Sequence, residues 1–562
     1  MLQSNSTSNH SMEKTEEIAK ETAEEKPRET TQKIMKKTAT EWFQRIAYQG
    51  LTVIGSLILL GMVYYSLFYT EFMKQFWVDV PEDRKDQPLW NVAALLILTM
   101  VIFAFGALKK LFSEKGQKHF ETGLLILSAC WILAWGMIWI FSADRVPEGD
   151  PAYIYGGASY FIEGRFFYLG HGSYCQLYPQ QLAQIAVVEL FFLLVGTYNY
   201  FAIEFVCVIF ATGIHLLGYG ILKECKAGYI AKTLYCLLMM GCIPLICYTS
   251  WTYGDLPSTF FSLVFALLAL KLREKLKWYY VAGMAASFMM AAMVRKNSMI
   301  FLVAFFIIAF LDLVIKRRWR MVVTAVLALT VSLLSYHIVY RVYEYQSGVK
   351  IEKGLPVNSW LAMGMEENWN GNGWYDDTPK SVGVDYDWDY DAIERYFSAY
   401  IKGRLEDFRE DPKYAIGFYK KKLVSQWNGP LYQCIYFSKG IPEDKKPAEG
   451  SFLHSLYQYK DAYELLLFWA DRWQFLIYLG ALLYFLTKIR KSEEPVNLLL
   501  AVTIVGGFFF SVIWEAKGRY CLPYYLMMYP LAGMGFEKVF GICGSLPMRN
   551  KKKGLRESVG KE

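Results

Sequence analysis

Apolar stretches of near-spanning length recur along this chain, and short basic clusters separate them. That alternation restricts the fold more than any other feature. A run of about 20 apolar residues can close all its backbone hydrogen bonds as a helix and cross a bilayer. The chain has 562 residues, 54% of them hydrophobic and 17% aromatic, with a mean hydropathy of +0.20. A soluble chain of this length would divide into several domains. The apolar runs point instead to a single all-α polytopic membrane protein. The formal net charge of +7 is not a nucleic-acid signature, because the basic residues sit in clusters between apolar runs. Of ten cysteines, Cys130, Cys207, Cys236, Cys242 and Cys247 lie inside apolar runs without metal-ligand spacing and serve as small core residues. Cys175 and Cys434 fall in external loops, where pairing between them is left open.

Taken in order, residues 1–45 form a charge-dense tail too poor in apolar residues to fold alone. Residues 46–120 carry two helices, at 47–69 and 91–108, ahead of the main module. That module runs over 121–343 and opens with a span at 121–141. Residues 344–462 are the one sizeable polar block, expected to form a small, mixed or mainly helical extracytoplasmic cap. Residues 463–541 return to the membrane, and 542–562 are a basic tail. The clusters Lys109/Lys110/Lys115/Lys118, Lys271/Arg273/Lys275/Lys277, Lys316/Arg317/Arg318/Arg320 and Lys488/Arg490/Lys491 are placed inside the cell by the positive-inside bias. Both termini are then cytoplasmic. Residues 144–181, the surroundings of Asp255 and Arg295, the block 344–462 and Glu515 all face outside. Parity requires one more decision, because two apolar runs (182–196 and 199–222) follow residue 181. The first is short, so it is expected to lie along the interface or re-enter, leaving about twelve crossings.

Residues 144–181 are too polar to span, and they hold Asp144, Glu148, Asp150 and Glu163 close to the membrane surface. Ionisable groups so placed are costly unless paired or used. The same external level collects Asp255, Arg295, Lys296, Glu515, Lys517 and Arg519. Carboxylates beside fixed cations suit group transfer from a lipid phosphate: a carboxylate takes the acceptor hydroxyl's proton, and arginine stabilises the departing phosphate. Plainer roles exist for each. Asp255 suits a helix cap, and Arg295, Lys296, Lys517 and Arg519 suit interfacial anchors. The run Asp385, Asp387, Asp389, Asp391 begins like a calcium loop, but Tyr390 stands at its glycine position and Tyr396 at its twelfth, which excludes an EF-hand. No phosphate-binding glycine loop, dinucleotide fingerprint or zinc spacing occurs. No cofactor is required, and dependence on a divalent metal is left open.

Asp150-Pro-Ala-Tyr-Ile-Tyr, with Ala158 and Gly164, followed by Tyr178-Pro-Gln-Gln181, resembles the first external loop of GT-C glycosyltransferases. The similarity is to bacterial relatives of protein O-mannosyltransferases and aminoarabinose transferases, of the family 39 type. TSWTYGDLPSTFF resembles a later acidic turn of that family, and WEAKGRYCLPYYLMMYPLAG its near-terminal segment. These short motifs are spread over residues 121–540. The resemblance implies a polyprenyl-phosphate sugar donor and transfer of one sugar to a glycan, lipid or protein on the outer face of the cell membrane. It carries the catalytic role onto Asp150, with Asp255 assisting and Arg519 contacting phosphate. Asp144, Tyr153, Tyr178, Gln180, Gln181, Arg295, Lys296, Glu515, Lys517 and Tyr520 are the accompanying substrate-binding candidates. Two helices precede the matched module, and the loop reads Asp-Pro-Ala where some relatives have Asp-Glu. A Trp-Trp-Asp motif of the oligosaccharyltransferase type is absent. The alternative is a lipid or glycan transporter or flippase, which would favour charged or broken helices at mid-membrane and an internal repeat. Neither is visible.

Overall fold

The computed structural model describes residues 39–545 apart from 76–77, 439, 442–444, 488 and 490–492. It is an all-α bundle. Helix α1 (Ala39–Phe68) leads into an antiparallel hairpin, β1 (Tyr69–Gln75) and β2 (Val78–Lys85), where Tyr69 pairs with Lys85. Then come α2 (Pro88–Leu111), α3 (Glu114–Ala143), α4 (Asp150–Ile162), the single turn α5 (Tyr174–Leu177), α6 (Gln181–Val195) and α7 (Tyr200–Glu224). The chain continues through α8 (Tyr229–Met240), α9 (Ile243–Cys247), α10 (Asp255–Glu274), α11 (Trp278–Val294), α12 (Met299–Lys316) and α13 (Arg320–Ser347). The polar block supplies α14 (Asn358–Met363), α15 (Thr378–Asp385), α16 (Tyr390–Glu410), α17 (Pro412–Trp427) and α18 (Phe452–Tyr457). Helices α19 (Asp461–Thr487), α20 (Leu499–Ile513) and α21 (Gly518–Ser545) close the bundle.

Among the described residues, eight helices are long and apolar enough to cross a membrane, or nine if the bent pair α8–α9 counts as one span. The outer faces of α1–α3 and α13 expose large apolar side chains such as Leu57, Leu96, Phe103 and Leu333. A helix whose exposed face is this apolar needs lipid or another protein against it. In contrast α21 is buried along most of its length, with Cys521, Met528, Tyr529 and Ala532 fully enclosed.

Contacts sort the helix ends into two levels. At one, Arg273 of α10 bonds Asn497, Arg318 pairs with Glu494, and Lys316 reaches Glu494 at 2.9 Å. Tyr48 of α1 joins them through the Glu493 carbonyl at 2.9 Å. The basic turns at Arg273 and at Lys316–Arg320 therefore gather at one end of the bundle; Lys488, Arg490 and Lys491 lie outside the described residues. At the other end stand the starts of α4, α10 and α21. Helix α6 stays there: Tyr155 of α4 packs on both Phe192, near the end of α6, and Tyr200, at the start of α7, with centroids 6.0 and 5.7 Å apart. Its 15 residues are fewer than those of the helices long and apolar enough to span.

The stretch 229–248 forms two helices, bent by 55°. Gly241 ends α8 against Trp473, where a Cβ would meet the indole at 2.3 Å, and Pro244 starts α9 where its missing N–H costs nothing. The connection after α1 is the hairpin. Residues 39–45, expected in the flexible tail, are the first turns of α1; residues 1–38 and 546–562 lie outside the described residues. Cys175 and Cys434 are both buried free thiols. The block 344–462 is mainly helical; its Lys422 donates to the Gly364 carbonyl inside the block at 2.5 Å and to the Val512 carbonyl of α20 at 2.9 Å, which ties it to the bundle.

Candidate functional site

Four segments far apart in sequence meet at the end opposite the basic turns. They are the start of α4, the turn before α10, the junction of α11 with α12, and the start of α21. Gly254, with φ at +94°, caps α10, and a Cβ there would lie 2.3 Å from the Val294 carbonyl. Only glycine allows both the left-handed turn and that approach. The contact matters because Val294 precedes Arg295. It brings the Arg295 Nε to 3.0 Å from Asp255 Oδ1, while the Trp251 indole donates to Oδ2 at 3.1 Å. Asp255 makes no capping bond to its own helix. Its side chain is 1% exposed, and a carboxylate so enclosed requires that cation and that donor.

A second pair lies beside it. Asp150 opens α4 after Gly149, with Pro151 in the first turn, and its Oδ2 is 3.5 Å from an Arg519 nitrogen. Tyr174 donates to Oδ1 at 3.3 Å. The Asp150 side chain is 36% exposed and that of Arg519 only 8%. Tyr253 joins the pairs, because the guanidinium carbons of Arg295 and Arg519 each lie 4.9 Å from its ring centroid. Tyr520 is near both, at 5.5 and 5.4 Å. Gln181 donates to the Tyr253 hydroxyl at 2.5 Å, tying α6 to the site. Cation–π attraction of this kind strengthens when the ring and cation are desolvated.

Around this centre, Trp251 stacks on Phe437 at 4.4 Å. Buried Arg145 sits 5.2 Å from the Trp251 ring and donates to the Phe437 carbonyl. Glu515 is buried, and loss of water raises its carboxyl above the usual range, against the opposing pull of Lys517 and Arg519. Tyr520 donates to it at 3.3 Å. A cavity of about 30 Å³ borders the buried pair, polar at Asp255, Arg295 and Asn297 and apolar at Phe301, Pro523 and Met527.

The expected residues thus separate into a centre and a periphery. Asp150, Asp255, Arg295, Arg519, Tyr520, Glu515 and Gln181 converge. Tyr153 stacks on Tyr174 at 4.5 Å, one shell out, and Tyr178 packs between Tyr174 and Trp360 at 5.2 and 6.3 Å. Gln180 is half-buried just before α6. Lys517 lies over the Tyr375 ring at 5.7 Å. Lys296 is exposed beside the centre, and Asp144 turns away to Lys445 at 2.7 Å. Sequence reasoning passed over Trp251, Tyr253, Tyr174, Arg145 and Gln433. The first two stand inside the TSWTYGDLPS segment and were within reach. Gln433, whose Oε1 accepts the Arg519 backbone N–H at 3.3 Å, carries no sequence signal. Among the described residues, no group of three or more His, Cys, Asp or Glu is placed to hold a metal. No family model matches the chain, and no curated protein matches it.

Proposed function

We propose that the chain is a membrane glycosyltransferase of GT-C type that moves one sugar from a polyprenyl phosphate to an acceptor outside the cell. The reading rests on one observation above the rest: two carboxylate–arginine pairs meet on Tyr253, and one of the carboxylates stays open to an incoming group. In the proposed reaction Asp150 accepts the proton of an acceptor hydroxyl as its oxygen attacks the anomeric carbon. The bond from that carbon to the phosphate oxygen breaks, and the polyprenyl phosphate leaves. Arg519, and Arg295 beside it, balance the charge gained by the phosphate. Asp255 holds Arg295 in place, so its contribution is positional. Glu515, Gln181 and Tyr520 border the same space. Acceptors reach it from the side of α14–α18.

The proposed topology counts α11, α19 and α21 as crossings beside the eight apolar helices and the bent pair. It puts both chain ends in the cytoplasm and the paired carboxylates outside. The decisive experiment incubates membranes containing the protein with labelled polyprenyl-phosphate sugars and follows the label. Asp150→Asn should lose transfer while expression and insertion persist. Transfer at the wild-type rate by that variant, or no labelled product from any donor, would remove the proposal and leave a transporter or flippase as the better reading.

A further inference from the structure

The hairpin β1–β2 closes over a second cavity, whose lining does not include the paired carboxylates. Its walls include Glu71, Gln433, Tyr436, Tyr459 and Tyr463, and it measures about 30 Å³, room for one water-sized group. Glu71 is 5% exposed. Its backbone N–H bonds the Asn428 carbonyl at 3.3 Å. Among the described residues, its carboxyl has neither a hydrogen bond nor an ion pair. The charges that bear on it are Asp83, its cross-strand partner, and Glu82, both of its own sign. Burial and these neighbours push the carboxyl up to about 8. Two of the hairpin's cations are engaged elsewhere: Arg84 holds Glu464 at 2.6 Å, and Lys74 faces Glu82 at 3.7 Å. Tyr459 and Tyr463 stack at 4.1 Å in the same wall.

A buried carboxyl without a counter-charge is costly to ionise. Electron-rich rings beside it add attraction for a positive group. We propose that this cavity binds a small monovalent cation of the ammonium type, held by the Glu71 carboxylate and the surrounding tyrosines. One carboxylate offers too few oxygens for calcium, and magnesium keeps a water shell this space cannot hold. A quaternary ammonium is too large for it. The ammonium group comes either as the free ion or as a primary amine carried by a substrate. Gln433 borders the cavity and also accepts the Arg519 N–H at 3.3 Å, so an occupant here would touch the residue that supports the candidate site. The inference does not depend on sugar transfer.

The test is thermal melting of the purified full-length protein at about pH 8.5, where a carboxyl raised this far still ionises. Sodium chloride sets the baseline, and ammonium, ethanolamine or magnesium chloride replaces it at equal ionic strength. Ammonium well above its dissociation constant should raise the melting point by roughly 2 °C or more. Glu71→Gln, which matches the neutral carboxyl in shape, should abolish that rise, as should Glu71→Leu. A rise with ethanolamine as well assigns the cavity to a substrate amine; a rise with ammonium alone assigns it to the free ion. The proposal is overturned by no rise, by an equal rise in the Glu71 variants, or by a rise with magnesium only.

Discussion

Asp255–Arg295 and Asp150–Arg519 are built from the same two side-chain types, and each carboxylate is the first residue of a helix. They differ in enclosure. The first pair is 3.0 Å apart, with its carboxylate 1% exposed and a third bond from Trp251. The second is 3.5 Å apart, with its carboxylate 36% exposed. A buried pair cannot lose one partner cheaply, because the survivor keeps its charge without water; such a break costs about 3–5 kcal/mol. In the second pair the carboxylate is already half in water, but Arg519 is only 8% exposed, so losing Asp150 leaves a largely buried charge that entering water and the Tyr253 and Tyr520 rings must meet. Exposure, rather than residue type, therefore separates the carboxylate free to meet a substrate from the one that positions an arginine.

The contrast can be broken in four ways, taken from the largest expected effect downward. Asp150→Asn should reduce transfer by about 10²- to 10⁴-fold, the span typical of a lost general base, in protein that still inserts and melts cooperatively, although at a lower temperature because Arg519 loses its partner. Asp255→Asn should act first on stability, lowering it by about 3–5 kcal/mol, seen as a lower melting point and a smaller yield of inserted protein. Equal melting of Asp255→Asn and wild type would erase the distinction between the pairs. Gly254→Ala should cost about 1–3 kcal/mol through its left-handed backbone, and it should weaken the Arg295 contact by displacing the Val294 carbonyl. Asp144→Asn, close to Asp150 in sequence but paired with exposed Lys445, should change melting by less than about 1 kcal/mol and leave transfer intact. Loss of transfer in Asp144→Asn would mean that the open site extends further than Asp150.

A pH effect sharpens the same point outside the two pairs. Glu366 of the polar block is raised to about 7 by burial and by Asp376 beside it. Its folded form holds a proton more tightly than the unfolded chain does. The stability this contributes is fully present below the unfolded value of about 4.3 and is lost as pH rises through about 7. Glu366→Gln should flatten that part of a melting-versus-pH curve.

The helical bundle was legible because lipid-facing helices must be apolar over their whole length, and Leu57, Leu96 and Phe103 show that requirement in order along the chain. The shortness of α6 was legible too, since the apolar run 182–196 is bounded by polar and turn-forming residues on both sides. The bend at Gly241–Pro244 had its signal in the residues themselves but was not drawn from them. The hairpin was obscured by its mixed charge: Glu71, Asp83 and Glu82 mask the alternation that marks a strand. Asp150, Asp255, Arg295 and Arg519 were recognisable as charges at one level. Their pairing was not, because which arginine meets which carboxylate depends on a glycine contact between α10 and α11 and on the packing of α21.

The sequence by itself determined the class of fold, the level at which the charged groups collect, and the residues able to do chemistry there. Hydrophobic period, span length and charge bias are local properties, and each stretch carries its own. The tertiary structure decided which carboxylate is sealed and which is open, that Tyr253 lies against both arginines, and that Glu71 is buried without a counter-charge. Those are properties of distance between segments tens to hundreds of residues apart, and they exist only once the helices have packed.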